Sequence, residues 1–257
     1  MFEVKHPYFK KNRILKIEML ELLRDFPKDV LHVYLEDCSD GIIQGLKPIV
    51  KENMISFSKG VVKHHQQIYV LGSPLSLHYQ ATEKETYIKL NFYDQIDDDD
   101  FRVNYLGIEL DENPSISHNQ MEIGRFKLEK GAYLRTQYQD LNDFITEFNT
   151  INIVHALYAG YEKPTIHISI LKYFAREVLS LKTSDPLDIQ FCFLCLNHMR
   201  VEREVIYRYL EQKLNRKIED LSNLDIHRLL VQILKSIQAQ GEFIHNEHNR
   251  KRHIILD

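Results

Sequence analysis

Three histidines near the C-terminus have a spacing that could bind a metal ion. His245, His248 and His253 lie three and then five residues apart, and two imidazoles one helical turn apart can share a divalent cation. Most of the residues between them are polar or charged, which favours contact with water. We therefore interpret this segment as a solvated tail, and the sequence predicts neither a metal ion nor a cofactor.

Two cysteines, Cys192 and Cys195, form a C-x-x-C motif. A structural zinc site needs a second pair of ligands, and a redox site needs a βαβ setting; the sequence around the motif indicates neither. The pair lies instead inside the most apolar run of the chain, where a free cysteine packs as a small hydrophobic side chain. The sequence predicts buried structural thiols here.

Four consecutive aspartates, Asp97 to Asp100, form a dense acidic cluster. An EF-hand loop starting at Asp97 would need glycine at its sixth position and glutamate at its twelfth, where the chain has Arg102 and Ile108. Like charges repel and stay in water, so we predict a solvated loop between strands. Together with Asp94, these carboxylates are also the candidates for a carbohydrate-acting hydrolase, which is the weakest alternative function.

A short basic stretch, Arg250 to Arg252, suggests contact with nucleic acid. It lacks aromatic residues for base stacking, and the chain has 33 basic against 37 acidic residues, a net charge of −4. The motifs G-x-x-x-x-G-K-[ST], G-x-S-x-G and H-E-x-x-H are absent from the sequence. A nucleic-acid-associated factor is therefore an alternative and not the first choice, and the sequence predicts no catalytic residue.

Length and composition are those of an ordinary globular protein. The chain has 257 residues, 44% of them hydrophobic, which is enough apolar material for one large core or two small ones. Residues 1–13 lack the apolar core of a secretory signal. The run Ile189–Leu196 is much shorter than the about 18 apolar residues of a membrane-spanning helix. We expect a protein that is made in the cytosol and is not inserted into a membrane.

The elements that would position these residues fall into three segments, which together indicate an α+β protein. Residues 1–38 are predicted to be an N-terminal helical segment, since Ile14, Ile17 and Leu20 have helical spacing. Pro27 is well placed to open a second short helix, because proline is favoured at the first helical position.

Residues 39–132 are predicted to form an antiparallel β domain, either a sandwich or a barrel. Apolar and polar residues alternate there, and turn residues recur about every 8–12 positions. The clearest strand runs from Tyr87 to Tyr93, with its apolar side chains on one face and Lys89 and Asn91 on the other.

Residues 133–257 are predicted to form a helical bundle of about five helices with a polar C-terminal tail. The predicted helices cover residues 141–148, 168–179, 186–199, 203–214 and 226–237. Asp185 and Pro186 form a helix start, and Ser222 and Asp225 have the spacing of a capping box. Gly241 is placed to end the last helix.

The segment from Ser39 to Leu71 resembles the small β modules at the attachment ends of bacteriophage tail-fibre and baseplate proteins. The matching positions are Asp40, Gly41, Ile42, Gly45, Leu46, Ile55, Phe57, Gly60, Val62 and Tyr69. The chain departs from the pattern at Lys59, where proline is usual, and at His65-Gln66, where Asn-Gly is usual. We expect Gly60 to take a positive φ in a turn, and Tyr69 to place its ring on the core with its hydroxyl in water.

This resemblance implies a structural role and no enzymatic activity. It implies a baseplate or tail-adaptor component of a phage tail or contractile injection system, which joins neighbouring rings or fibres through protein–protein contacts. A β domain followed by a helical bundle is also similar in layout to the baseplate adaptor of injection machines. The implied partners are other baseplate or tail proteins and further copies of the chain, because such parts work as symmetric homo-oligomers, trimers among them. The chain would then be part of a tail or injection particle, without a nucleic-acid partner.

Overall fold

The structure, a computed structural model, describes residues 3–97 and 100–250 of the chain. The chain divides into two compact units, Met1–Cys38 and Ser39–Asp257. The described part of the first unit contains helix α1 (Ile17–Tyr34), and all the strands and the remaining helices belong to the second unit.

Helix α1 is one continuous helix, and Pro27 lies inside it. The prediction that Pro27 opens a separate helix is therefore wrong. A proline in a helix interior lacks the amide donor for the carbonyl four residues earlier, which weakens the helix by about 3 kcal/mol. None of the residues of α1 is buried, so the helix keeps its apolar side chains at the surface.

The second unit is built from short antiparallel strands and four longer helices. The strands are β1 (Gly41–Gly45), β2 (Pro48–Lys51), β3 (Met54–Phe57), β4 (Gly60–His64), β5 (Gln67–Leu71), β6 (Leu75–His78), β7 (Glu85–Phe92), β8 (Ile96–Asp97), β9 (Arg102–Val103), β10 (Leu106–Asp111) and β11 (Gln120–Lys127). The helices are α2 (Ile168–Ser180), α3 (Pro186–Asn197), α4 (Arg203–Leu214) and α5 (Asn223–Arg250).

The strands form three small sheets and a two-stranded ribbon. The strand orders are β1-β4-β5, β2-β3-β6 and β10-β7-β11, and β8 pairs with β9. Every pairing between named strands is antiparallel, as predicted. The predicted barrel is wrong, because none of these sheets closes on itself in the part of the chain that the structure describes.

Strand β7 lies at the centre of its sheet, and all its residues after the first are buried. The side chains alternate between two faces, but both faces are covered, so Lys89 is buried as well. Its Nζ donates to Asp111 Oδ2 at 2.6 Å and to the Ser115 carbonyl at 2.8 Å. These two acceptors compensate the cost of removing the ammonium group from water.

Between β11 and α2 the chain runs along the sheets with little regular structure. The predicted helix over residues 141–148 is wrong, because the chain forms only a short 3₁₀ turn there, Asn142–Ile145. Single backbone bridges join the stretch to itself and to the strands: Arg125 with Asn152, Arg135 with Thr150, Ile42 with Tyr158, and Tyr158 with Thr165. These long-range bridges outweigh the local helical spacing of the apolar residues.

Strand β1 gains its second neighbour from this stretch. The Ile42 N–H donates to the Leu157 carbonyl at 2.8 Å, and the Ala159 N–H donates to the Ile42 carbonyl at 3.0 Å. The Ser39 N–H donates to the Gly160 carbonyl at 2.9 Å. The start of the second unit is therefore bonded on one side by β4 and on the other by residues 157–160.

The two predicted helix starts are confirmed. The Asp185 side chain accepts the Leu187 N–H at 2.9 Å at the start of α3. Ser222 Oγ accepts the Asp225 N–H at 3.1 Å, and Asp225 Oδ2 accepts the Ser222 N–H at 3.2 Å. Gly241 does not end the last helix, because α5 continues to Arg250; a glycine inside a helix costs about 1 kcal/mol but does not by itself stop it.

The helices and the sheets of the second unit share one hydrophobic core. Helix α2 packs against α3 and α5, and α4 packs against α5. The same cluster of buried side chains includes Phe57 and Leu90 from strands and Phe174 and Ile226 from helices. The described residues therefore do not show the independent C-terminal bundle that the sequence predicts.

Candidate functional site

The residues of the attachment-module pattern lie in or beside one sheet. Asp40 precedes β1, Gly41 and Gly45 begin and end that strand, Gly60 begins β4, and Tyr69 lies on β5. Because β4 pairs with both β1 and β5, the five positions are close in space. Their role in attachment stays a prediction.

Two of these glycines are required where the backbones of β1 and β4 meet. Gly45 has a φ of 82°, and a Cβ there would clash with the Lys59 carbonyl oxygen. Gly60 does not have the positive φ that the sequence suggested. A Cβ on Gly60 would instead lie 2.7 Å from the Gln44 carbonyl oxygen. The pattern therefore preserves a close strand pairing, and Gly60 is needed for space and not for a turn.

The hairpin between β4 and β5 brings three histidines and one carboxylate together. Nε2 of His64 and Nε2 of His65 each lie 3.0 Å from the His118 carbonyl oxygen. The His65 ring stacks on the His118 ring at 4.0 Å between centroids. Asp40 Oδ2 accepts the His65 backbone N–H at 3.0 Å. These contacts hold the tip of the hairpin to the loop that precedes β11.

An aromatic cluster supports the same hairpin from inside. The ring of Phe92 stacks on His64 with centroids 3.9 Å apart and contacts Tyr69 at 4.9 Å. Burial lowers the pKa of His64, the neighbouring His65 lowers it further, and Asp40 acts in the opposite direction. Burial also raises the pKa of the Tyr69 hydroxyl. Both rings thus favour their neutral forms, which suits a packing role.

The structure gives the histidines no metal-binding arrangement in the part of the chain it describes. Among those residues, no group of three His, Cys, Asp or Glu side chains could hold a metal ion. His245 and His248 fall on the last turns of α5, and His253 lies outside the described residues. The sequence-based choice of these three histidines as weak metal candidates stays untested.

The turn of the hairpin has unusual residues for its backbone conformation. His65 and Gln66 have φ values of 45° and 65°, whereas two-residue turns of this kind favour Asn-Gly. Replacing Gln66 with glycine should raise the free energy of unfolding by about 0.5–1 kcal/mol, because glycine takes a positive φ without steric cost. Urea unfolding measures the change. Gln67→Gly, in the adjacent strand, is the control and should destabilise; a loss of stability in Gln66→Gly would contradict the prediction.

The two cysteines of the C-x-x-C motif are buried in α3, as predicted. Burial raises the pKa of the Cys192 thiol to about 12 and also raises that of Cys195. A thiol that stays protonated is a poor nucleophile and a poor metal ligand. Both thiols therefore contribute packing to the core.

The two alternative functions, a carbohydrate-acting hydrolase and a nucleic-acid-associated factor, depend on acidic and basic residues that the structure describes only in part. Asp94 is exposed in the loop after β7, and Asp97 ends β8. Asp98 and Asp99 lie outside the described residues. Of the basic stretch, Arg250 ends α5, and its two neighbours Lys251 and Arg252 also lie outside the described residues. Both alternatives stay predictions.

Apolar residues are exposed on two separate surfaces. The first is helix α1, where large apolar side chains face solvent along the whole helix. The second is a cavity of about 1040 Å³ between α3 and α4, whose lining includes the exposed side chains of Leu194 and Val205. Contiguous exposed apolar surface of this kind is typical of sites that contact other proteins.

Arg203 joins distant parts of the second unit, and the sequence did not indicate it. Its guanidinium donates to the carbonyls of Pro164 and Leu221 and to Asn223 Oδ1. Asn223 Nδ2 in turn donates to the Ala156 carbonyl at 3.0 Å. Arg203 therefore ties the starts of α4 and α5 to the stretch before α2. Its partners are remote in sequence, so no local spacing could have identified it.

The described fold belongs to the mixed α and β class. No protein family matches the chain, and no curated protein sequence matches it. A crystal structure of TssK superposes with a TM-score of 0.39 at 9% identity, over 92% of this chain and 69% of that one. A chain of the TssK–TssF–TssG baseplate subcomplex of the type VI secretion system, determined by cryo-electron microscopy, gives a TM-score of 0.37 at 9% identity.

That second superposition covers 91% of this chain and 100% of the other. The likeness to TssK, a baseplate protein, is a coarse likeness of fold. We therefore take the function from this chain's own surfaces. No helix in the described ranges is both long enough and apolar enough to span a bilayer.

Proposed function

We propose that this chain is a non-enzymatic structural component of a baseplate-type assembly, in a phage tail or a contractile injection machine. It joins copies of itself and neighbouring baseplate or tail proteins through protein–protein contacts. The observation that carries the proposal is the exposed apolar face of α1. The resemblance of residues 39–71 to phage attachment modules supports the same role.

Helix α1 has an apolar stripe with the spacing of a helix-pairing surface. Met19, Leu23, Phe26, Val30 and Val33 follow one another at intervals of four, three, four and three residues. The last four side chains are between 50% and 73% exposed. Intervals of four and three place them on one face, which packs against another helix of the same spacing. A second copy of the chain supplies such a helix, and repeated contacts of this kind build symmetric oligomers.

The charges of the first unit also fit a second copy. Lys10, Lys11, Arg13 and Lys16 precede α1, whereas Asp29, Glu36 and Asp37 lie near or beyond its end. The basic start of one copy therefore attracts the acidic end of the next. Complementary charges of this kind guide association and select the partner.

Introducing two charges into the stripe should disrupt self-association of the full-length chain. We expect the wild-type protein to sediment as a homo-oligomer and the double variant Leu23→Lys/Phe26→Lys to sediment as a monomer. Each lysine would have to leave water on association, so the dissociation constant should rise by at least about 30-fold, the effect of one interface hot spot of 2 kcal/mol. Analytical ultracentrifugation over a range of concentrations measures the change.

Ile17→Lys is the matched control, because Ile17 is exposed on the opposite side of the same helix. It should leave the oligomer intact, and thermal unfolding should show that the double variant is still folded. Mass spectrometry of purified tail-like particles from the source cells tests the wider role. A wild-type chain that stays monomeric at high concentration and is absent from such particles would overturn the proposal.

A further inference from the structure

A cavity at the N-terminal end of α2 is lined by positive charge. It has a volume of about 380 Å³ and lies between β1, residues 158–169 and the connection from α3 to α4. The charged residues that line it are Lys47, Lys172, Arg176 and Arg200, and no Asp or Glu is among the described residues of the lining. The volume is within the usual range of small-molecule sites, about 300–1,000 Å³.

Three of these four cations have no acidic partner. Lys47, Lys172 and Arg176 have no carboxylate oxygen within 4.0 Å among residues 3–96, 100–101 and 103–239, whose side chains the structure describes. Arg200 differs, because its Nε lies 2.8 Å from Glu202 Oε1. Uncompensated cations around one concave surface create a positive potential that concentrates anions.

His167 is a mostly buried side chain that lines the same cavity. It is only 6% exposed, yet it belongs to the cavity lining. Its Nδ1 accepts the Ser169 N–H at 2.9 Å and so caps α2. An accepting Nδ1 means that the neutral ring carries its proton on Nε2. No described residue accepts that proton, so Nε2 is the nitrogen left for a ligand.

The neutral form of His167 and the N-terminal end of α2 also favour the binding of an anion in this cavity. Burial lowers the pKa of His167 to about 3, and the charge of Lys47 contributes. The imidazole therefore stays neutral and donates from Nε2 at physiological pH. The 13-residue helix α2 also begins here, and the N-terminal end of a helix carries about half a positive charge. Helix starts of this kind are recurrent binding sites for phosphate.

We propose that this cavity binds a phosphate group, either free phosphate or the phosphate of a small ester. His167 Nε2–H, Lys172 and Arg176 hold the oxygens, and Lys47 adds charge at the rim. Phosphate fits better than a carboxylate, because its additional oxygens and larger charge match several donors on α2 together with the charge of Lys47. The site lies in the second unit and does not depend on the self-association proposed for α1.

Calorimetric titration of the full-length chain tests the site directly. The probes are inorganic phosphate and glycerol 3-phosphate, with chloride at equal ionic strength as the reference. We expect saturable binding of one phosphate group per chain. Tighter binding of glycerol 3-phosphate would indicate an ester as the natural ligand, and equal binding would indicate free phosphate. Heats no different from those of chloride would overturn the proposal.

Variants that leave the helix cap in place show where binding occurs. Lys172→Gln/Arg176→Gln should weaken binding by about 10- to 100-fold, the usual effect of losing hydrogen bonds to charged groups. Arg216→Gln/Lys235→Gln changes the net charge equally at exposed positions outside the cavity and should bind like the wild type. His167→Asn keeps a capping acceptor but removes Nε2–H, so it should lose affinity while retaining thermal stability. Equal weakening in both charge variants would mean non-specific attraction and would refute the site.

Discussion

Replacing Lys213 with methionine should lower the free energy of unfolding by about 3–5 kcal/mol, because the change leaves a buried carboxylate without its cation. Lys213 Nζ lies 2.9 Å from Asp188 Oδ2 and 2.9 Å from Asp185 Oδ2. The Asp188 side chain is 1% exposed, and its other oxygen accepts the Tyr209 hydroxyl at 2.8 Å. The remaining hydrogen bonds, from Tyr209 and from Thr183 Oγ1 at 3.4 Å, cannot replace the lost charge.

Burial disfavours the charged form of Lys213, but the hydrogen bonds to Asp188 and Asp185 outweigh that effect and raise the pKa of the ammonium group. Lys213 is therefore charged in the folded protein at neutral pH. Urea unfolding of the full-length chain measures the loss in the variant. The double variant Asp188→Asn/Lys213→Met removes both charges and should recover part of the stability, which a double-mutant cycle expresses as a coupling energy.

Lys217→Met is the matched control for Lys213→Met. Lys217 pairs with Glu219 in the same part of the chain, but both side chains are mostly exposed. An exposed pair contributes only about 0–1 kcal/mol, so this variant should unfold nearly like the wild type. If both methionine variants lost the same stability, the buried pair would have no special role.

Acid should destabilise the second unit through Asp143, which is the other large expected effect. Arg135 donates through both terminal nitrogens to the Asp143 carboxylate. Thr146 Oγ1 donates to it at 2.7 Å and the Gln139 N–H at 2.8 Å. These contacts, above all the bonds from Arg135, lower the pKa of Asp143 from 3.8 to about 2. Asp143 is 8% exposed and the Arg135 side chain is 37% exposed, so solvent screens the interactions in part.

A folded-state pKa below the unfolded value means that deprotonation favours the folded protein. The contribution is fully present above about pH 5 and is lost as the pH falls towards about 2, and its size is about 2 kcal/mol. Asp143→Asn should lose about that amount at pH 7 and should show a flatter decline between pH 5 and pH 2. Chemical unfolding at a series of pH values measures both effects.

Asp94→Asn supplies the control for the acid experiment. Asp94 is exposed in the loop after β7, and its replacement should leave the wild-type pH dependence intact. An Asp143→Asn protein with the wild-type slope would show that other carboxylates cause the acid response.

The sequence predicted those elements whose signals are local. The Asp185-Pro186 start of α3 and the Ser222–Asp225 capping box are contacts between near neighbours, and the structure shows both. Strand β7 was found from its alternation. The sequence did not predict that both faces of β7 are buried, because apolar and polar residues alternate in the same way whether one face or both faces are covered. The ion pair between the buried Lys89 and the partly exposed Asp111 follows from that second covered face.

The failures come from distant contacts. Residues 141–148 have helical spacing, yet Asp143 is held by Arg135, and Arg135 also bridges to Thr150. The free energy gained from these contacts is larger than the local preference of residues 141–148 for a helix. At Pro27 the error was the opposite one. The local signal, a proline that interrupts helices, predicted a break, but Pro27 lies inside a continuous helix.

The two candidate sites, the stripe on α1 and the cavity beside α2, also differ in whether local sequence reveals them. The spacing of the stripe on α1 can be read directly from the sequence once the helix is known to be continuous. The phosphate cavity cannot, because Lys47, His167 and Arg200 come from three separate parts of the chain. Only the folded second unit brings them together.

The bonding of β1 to residues 157–160 has a consequence for biosynthesis. Ser39 and Gly160 contact each other across 121 positions of sequence, so a ribosome needs roughly 6 to 24 seconds to add the missing partner at about 5–20 residues per second. During that interval β1 presents an unpaired strand edge, which is a template for joining another nascent chain. Strand β1, which the finished molecule pairs on both sides, is therefore a part of the nascent chain that needs shielding while translation continues.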